Sequence, residues 1–66
     1  MKITVNNTEH DVPETCTVAE LVQRLGLAQK PVAVEVNRTL ITRSKHTEHT
    51  LSDGDAVEVV TLVGGG

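Results

Sequence analysis

Only one stretch of this chain is written for a helix, and it carries its own start and stop signals. Thr17-Val18-Ala19-Glu20 is a capping box, in which a threonine hydroxyl and a glutamate carboxylate each satisfy the other residue's orphan backbone amide. Val18, Leu21, Val22 and Leu25 then fall at i, i+3, i+4 and i+7, one apolar stripe. Gly26 stands where a left-handed C-terminal cap is expected. A lone helix with one apolar stripe has no second helix to bury it against, so it needs a sheet.

The rest of the chain supplies one. Lys2 to Asn6 alternates apolar and polar residues, and Asn6-Asn7 is a turn signal because Asn tolerates positive φ. Thr8 to Val12 returns as the second strand of a hairpin, which Pro13 ends by removing a backbone donor. Val32, Val34 and Val36 alternate with Ala33 and Glu35 in a third strand. Asn37-Arg38 is the next turn and Thr39-Leu40-Ile41 a short return. Residues Thr42 to Thr50 read as polar and irregular, with room for a helical turn. Ser52-Asp53-Gly54-Asp55 is a strong turn before Ala56 to Val63, the longest β-prone run. Being long and valine-rich, that last strand is predicted to lie centrally, beside the first. The order predicts an α+β fold with a mixed sheet of about five strands on one main helix, and it resembles the β-grasp, or ubiquitin-like, fold. The single domain spans 1–63, and 64–66 reads as a flexible glycine tail.

Composition narrows the function. In 66 residues there is little interior to shape both a core and a deep substrate cavity, which counts against a free-standing enzyme. With aromatics at 0%, aliphatic side chains must make the whole core and no base-stacking platform exists. A net charge of −3 argues against non-specific nucleic-acid binding, which needs a basic field. No apolar run approaches the roughly 20 residues of a membrane span, and Met1-Lys2-Ile3-Thr4-Val5-Asn6 turns polar too soon for a signal peptide. The expected location is cytoplasmic, with no nucleic-acid or membrane partner and a monomeric free state.

Gly64-Gly65-Gly66 needs a separate reason, because triglycine costs backbone entropy to order and has no side chain to pack. It directly follows the predicted central strand, so a rigid base would project it. Val63 to Gly66 fully extended would reach about 13–14 Å at 3.3–3.6 Å per residue, enough to thread an enzyme channel too narrow for a Cβ. An α-carboxylate, with a pKa of about 3.3–3.7, is ionised at neutral pH and is a poor electrophile. It is a competent nucleophile toward the α-phosphorus of a nucleoside triphosphate. The acyl-adenylate so formed is open to sulfur or amine attack, which would make the protein a substrate of that chemistry rather than its catalyst.

Three segments carry a family resemblance: Val32-Ala33-Val34-Glu35-Val36-Asn37-Arg38, Leu51-Ser52-Asp53-Gly54-Asp55-Ala56-Val57-Glu58-Val59-Val60, and Leu62-Val63-Gly64-Gly65-Gly66. Along its whole length the chain resembles the ThiS sulfur carriers of bacterial thiamin biosynthesis. The second segment and the glycine end are shared by related carriers, while the short length and the Val-Glu-Val-Asn stretch favour ThiS. The resemblance implies that a ThiF-like E1 adenylating enzyme uses ATP with Mg²⁺ on the terminal carboxylate. Sulfur from a donor system, drawn ultimately from cysteine, then replaces AMP, and a ThiG-like thiazole synthase receives it from the thiocarboxylate. Carried onto this chain, Gly66 is the sulfur acceptor, Gly65 its diglycine partner and Gly64 a spacer. The resemblance implies no bound cofactor. The lack of aromatics departs from relatives, which often carry one between the fourth strand and the Asp-Gly-Asp turn. Two alternatives remain at this stage: a carrier of the molybdopterin-synthase small-subunit type, and a ubiquitin-like module that binds without tail modification.

Other residues invite weaker readings. On the last strand Val57, Val59 and Thr61 share one face and Glu58, Val60 and Leu62 the other. If the first set faces the helix, Val60 and Leu62 are exposed beside the tail and become candidates for partner docking. His46 and His49, with Glu48 between, fall short of the three or four ligands a metal needs and read as solvated loop residues. Arg38, Arg43 and Lys45 read as solvated surface, and Asp53 and Asp55 frame a turn without paired-carboxylate spacing. Cys16 is the only cysteine, which rules out an internal disulfide; it reads as a small residue in a connection, with Glu14 and Glu20 opposing its thiolate. No catalytic residue and no metal site is expected.

Overall fold

A computed structural model describes residues 1–62. Two hairpins frame the architecture, and both are set by two-residue turns. β1 (Lys2–Val5) and β2 (Thr8–Asp11) pair antiparallel with Val5 opposite Thr8, leaving Asn6-Asn7 as the turn. β3 (Val32–Val36) and β4 (Thr39–Ile41) pair with Val36 opposite Thr39, leaving Asn37-Arg38. All four turn residues have positive φ, between 50° and 70°. That is the type I′ requirement, whose twist matches that of the flanking strands.

The last strand, β5 (Ala56–Thr61), joins the two hairpins. It runs parallel to β1 and antiparallel to β3, giving one mixed sheet in the order β2-β1-β5-β3-β4. Its central place beside β1 is as the valine-rich run predicts. It is shorter than the Ala56 to Val63 read from sequence. After Thr61 the pairing survives as one bond, from the Leu62 N–H to the Pro31 carbonyl at 2.9 Å. Val63 and the three tail glycines, with the tail assigned to 64–66, lie outside the described residues.

α1 (Val18–Arg24) crosses one face of the sheet, and both expected caps are present. The Glu20 N–H donates to the Thr17 hydroxyl at 3.2 Å, and the Thr17 N–H donates to the Glu20 carboxylate at 2.9 Å. At the other end Gly26 has a φ of +77°. The Leu27 N–H reaches back to the Val22 carbonyl and the Gly26 N–H to the Gln23 carbonyl, which together make a Schellman motif. Val18, Leu21 and Val22 of the stripe are buried, and Leu25 is half-buried at the cap. They meet Ile3, Val5, Val34, Val36, Val57 and Val59 from the sheet in one aliphatic core.

The segment that reads as irregular does more than connect. A 3₁₀ turn at Arg43–Lys45 leads into carbonyls that complete the start of α1. The Val18 N–H donates to the His49 carbonyl at 3.0 Å, and the Ala19 N–H to the His46 carbonyl at 2.9 Å. With the Thr17 cap, every N–H of the first helical residues then has a partner, so none is left orphaned. His46 corrects the reading of it as a solvated residue. It is buried, its Nε2–H donating to the Ile41 carbonyl at 3.0 Å. An imidazole can sit in an apolar interior when its ring N–H is satisfied, and the helix-capping bond of its own backbone holds it there.

Candidate functional site

The candidate site is the end of β5 and the sheet face turned away from the helix. Alternation along β5 buries Val57 and Val59 and exposes Glu58 and Val60. Leu62, bonded to Pro31, continues the same phase. Among the described residues the large apolar side chains most exposed to water are Leu40 at 59%, Val60 at 57% and Leu62 at 53%. All three fall on this open face, on β4 and at the end of β5. Val60 lies opposite the half-buried Ala33. Val60 and Leu62 therefore take the exposed places foreseen for them, next to the chain segment that runs toward Gly64, Gly65 and Gly66. Leu40 was missed, although its alternation with the buried Ile41 was enough to find it.

Beneath the site, side chains grip the backbone of β5. Asn6, held in its turn at a φ of 51°, donates from Nδ2 to the Val59 carbonyl at 3.0 Å and accepts from the Val59 N–H at 2.9 Å. Asn37 does the same work at the start of the strand, accepting from the Ala56 N–H and donating to Asp55. Asp55 in turn accepts from the Ser52 N–H at 2.8 Å, and Asp53 accepts from the Lys2 N–H at 2.8 Å. The two aspartates thus stitch the turn before β5 to itself and to β1. None of these side chains was identified from sequence as gripping the strand. The result is a strand fastened along its length just before the chain leaves it.

The remaining candidates carry no chemistry of this kind. Cys16 is 1% exposed and belongs to the core rather than merely to a connection. Burial pushes its thiol above the ordinary value, Glu20 adds to the rise, and Arg24 opposes it. A neutral buried thiol is a poor nucleophile. Among the described residues no group of three or more His, Cys, Asp or Glu side chains gathers to hold a metal. Arg38 and Arg43 are exposed, as is Lys45, which sits 3.9 Å from Glu48. No helix among the described residues is long and apolar enough to cross a membrane.

A family model describing the ThiS family matches residues 1–66. The chain belongs to the ThiS family. Its whole length is 39% identical to the thiamine biosynthesis protein ThiS of Geobacter metallireducens, whose crystal structure superposes with a TM-score of 0.84 over 100% of both chains. This makes the fold that of a ThiS protein, the β-grasp expected from element order. The sulfur carrier protein ThiS of Bacillus subtilis is 38% identical over 53 residues, covering 80% of each chain. A second kind of relative is larger. A thiazole synthase of Paramagnetospirillum magneticum is 35% identical over 66 residues, so this ThiS chain spans 20% of that protein.

Proposed function

We propose that this chain carries sulfur for thiazole formation in thiamin biosynthesis, as a thiocarboxylate on Gly66. Membership of the ThiS family across all 66 residues carries this reading. The Gly66 carboxylate attacks the α-phosphorus of ATP, held with Mg²⁺ by an E1-like adenylating enzyme, and pyrophosphate leaves. Sulfur at the oxidation level of sulfide then attacks the acyl carbon and expels AMP, so no net oxidation occurs at the protein. The protein is the substrate of these steps, holds no cofactor of its own, and acts in the cytoplasm. Val60 and Leu62, joined by Leu40, form the apolar part of the docking face. Burying such side chains against a partner is favourable in proportion to the area removed from water.

A thiazole synthase with a segment 35% identical to this entire chain supports thiazole synthase as the receiver of the sulfur. It also favours thiazole over the dithiolene of the molybdenum cofactor as the destination. Intact mass after incubation with the adenylating enzyme, ATP and a sulfur donor tests the reading. The expected gain is the difference between one sulfur and one oxygen atom, mapping to the Gly66 peptide. An unchanged mass, or a gain mapping to Cys16, would overturn it in favour of a module that binds without modification. One bulky residue added after Gly66 is expected to abolish the gain with the fold unchanged.

A further inference from the structure

The open face of the sheet holds two carboxylates against each other. Glu35 on β3 stands directly opposite Glu58 on β5. Both alternate with buried valines, so both belong to the face turned away from the helix. Directly opposed residues place their Cβ atoms about 4.5–5.5 Å apart, and like charges there repel. Among the described residues neither carboxylate has a cation within the 4.0 Å of an ion pair. Elsewhere on the same face Glu9 does have one, Lys2 at 3.5 Å. Arg38 lines the same shallow cleft as Glu58 but stays beyond that distance. The acidic pair also sits inside the apolar patch. Leu40 lies directly opposite Glu35, and Val60 occupies the next outward position of β5 after Glu58.

We infer that this face docks on an apolar seat of the adenylating enzyme in which a basic side chain settles between Glu35 and Glu58. The inference rests on the carrier reading above and deepens it by giving the partner surface a charge. The chemistry of activation favours that partner. An enzyme that brings a carboxylate to a triphosphate must gather positive charge to hold both, and such a surface attracts a chain of net charge −3. A seat without a cation would have to strip water from two adjacent unpaired carboxylates, a strong penalty that turns the pair into a filter against other apolar partners.

Association with the immobilised adenylating enzyme, followed by interferometry at two salt concentrations, tests this. The wild-type association rate is expected to fall about tenfold between about 50 and about 500 mM salt. The Glu35→Gln/Glu58→Gln double variant is expected to associate about tenfold more slowly at the lower salt, with a flattened salt response. Val60→Ser/Leu62→Ser should instead speed dissociation and keep the salt response. Removing the repulsion leaves the glutamine variant at least as stable as wild type, which a thermal melt checks. Glu58→Lys is a second variant that turns the pair into an attraction across the strands; it should fold and bind more weakly still. A wild-type rate indifferent to salt, or charge variants that associate like wild type, would overturn the inference. Normal sulfur loading alongside either result leaves the carrier reading intact, whereas a wild type that neither binds nor loads removes both.

Discussion

Asn6 is the residue on which most depends for its size. Its backbone must hold a positive φ, which asparagine accepts more readily than most residues. Its amide takes both hydrogen-bonding groups of Val59, 53 positions away. Asn6→Ala is expected to lose both bonds and strain the turn, costing about 2–3 kcal/mol in urea unfolding. Asn6→Gly keeps the turn and loses only the bonds, so about 1–2 kcal/mol is expected. Equal stability of the glycine variant and wild type would show that the bonds to Val59 contribute nothing. Cys16 makes a second residue-scale prediction. Its folded thiol titrates above its unfolded value, so the unfolded chain gives up its proton first as pH rises. Stability is therefore complete below the ordinary thiol range and declines above it, a decline that Cys16→Ala should lessen in melts across pH 8 to about pH 10. In the native state the thiol should resist alkylation and react only on unfolding.

Among the elements, α1 has seven residues and is too short to persist alone. Its caps and its burial hold it. Thr17→Ala removes the cap acceptor for Glu20 and is expected to cost about 1–2 kcal/mol. At Gly26 an added Cβ would meet nothing within 4 Å, so the cost of Gly26→Ala is conformational alone, about 1 kcal/mol. Asn at this position should recover part of it. Chemical denaturation of the three variants checks both numbers, and a neutral Gly26→Ala would mean that the backbone there relaxes freely. The helix start and stop were legible because each signal sits within three or four residues of its partner. The carbonyls of His46 and His49 that finish the helix start were not. Nothing local to Thr42 to Thr50 points toward a helix nearly thirty positions earlier in the chain.

For the molecule as a whole, stability of about 0.05–0.15 kcal/mol per residue implies only a few kcal/mol to spend. The exposed aliphatic side chains Leu40, Val60 and Leu62 on one sheet face are then a cost in solubility, which the proposed docking would offset by covering them. Val60→Ser/Leu62→Ser is expected to leave the melting temperature within a few degrees of wild type, since exposed positions away from the core usually change stability by less than about 0.5 kcal/mol. Binding to the adenylating enzyme and to thiazole synthase should weaken about tenfold or more, as measured by calorimetry. Unchanged affinity for both would remove the open face from the docking account. The side chains that fasten β5 act at this scale too, because they tie the strand to both hairpin turns.

Local chemistry alone determined the capping box, the left-handed glycine after the helix, the two asparagine turns and the alternation that sorts Val57 and Val59 from Val60. Each depends on neighbours that covalent connection already brings close. Assembly decided what depends on strands far apart in the chain: the grip of Asn6 on Val59, the burial of His46, and the meeting of Glu35 with Glu58. A side chain's own type does not say which distant backbone group will come within 3 Å of it. Only the register of the sheet does.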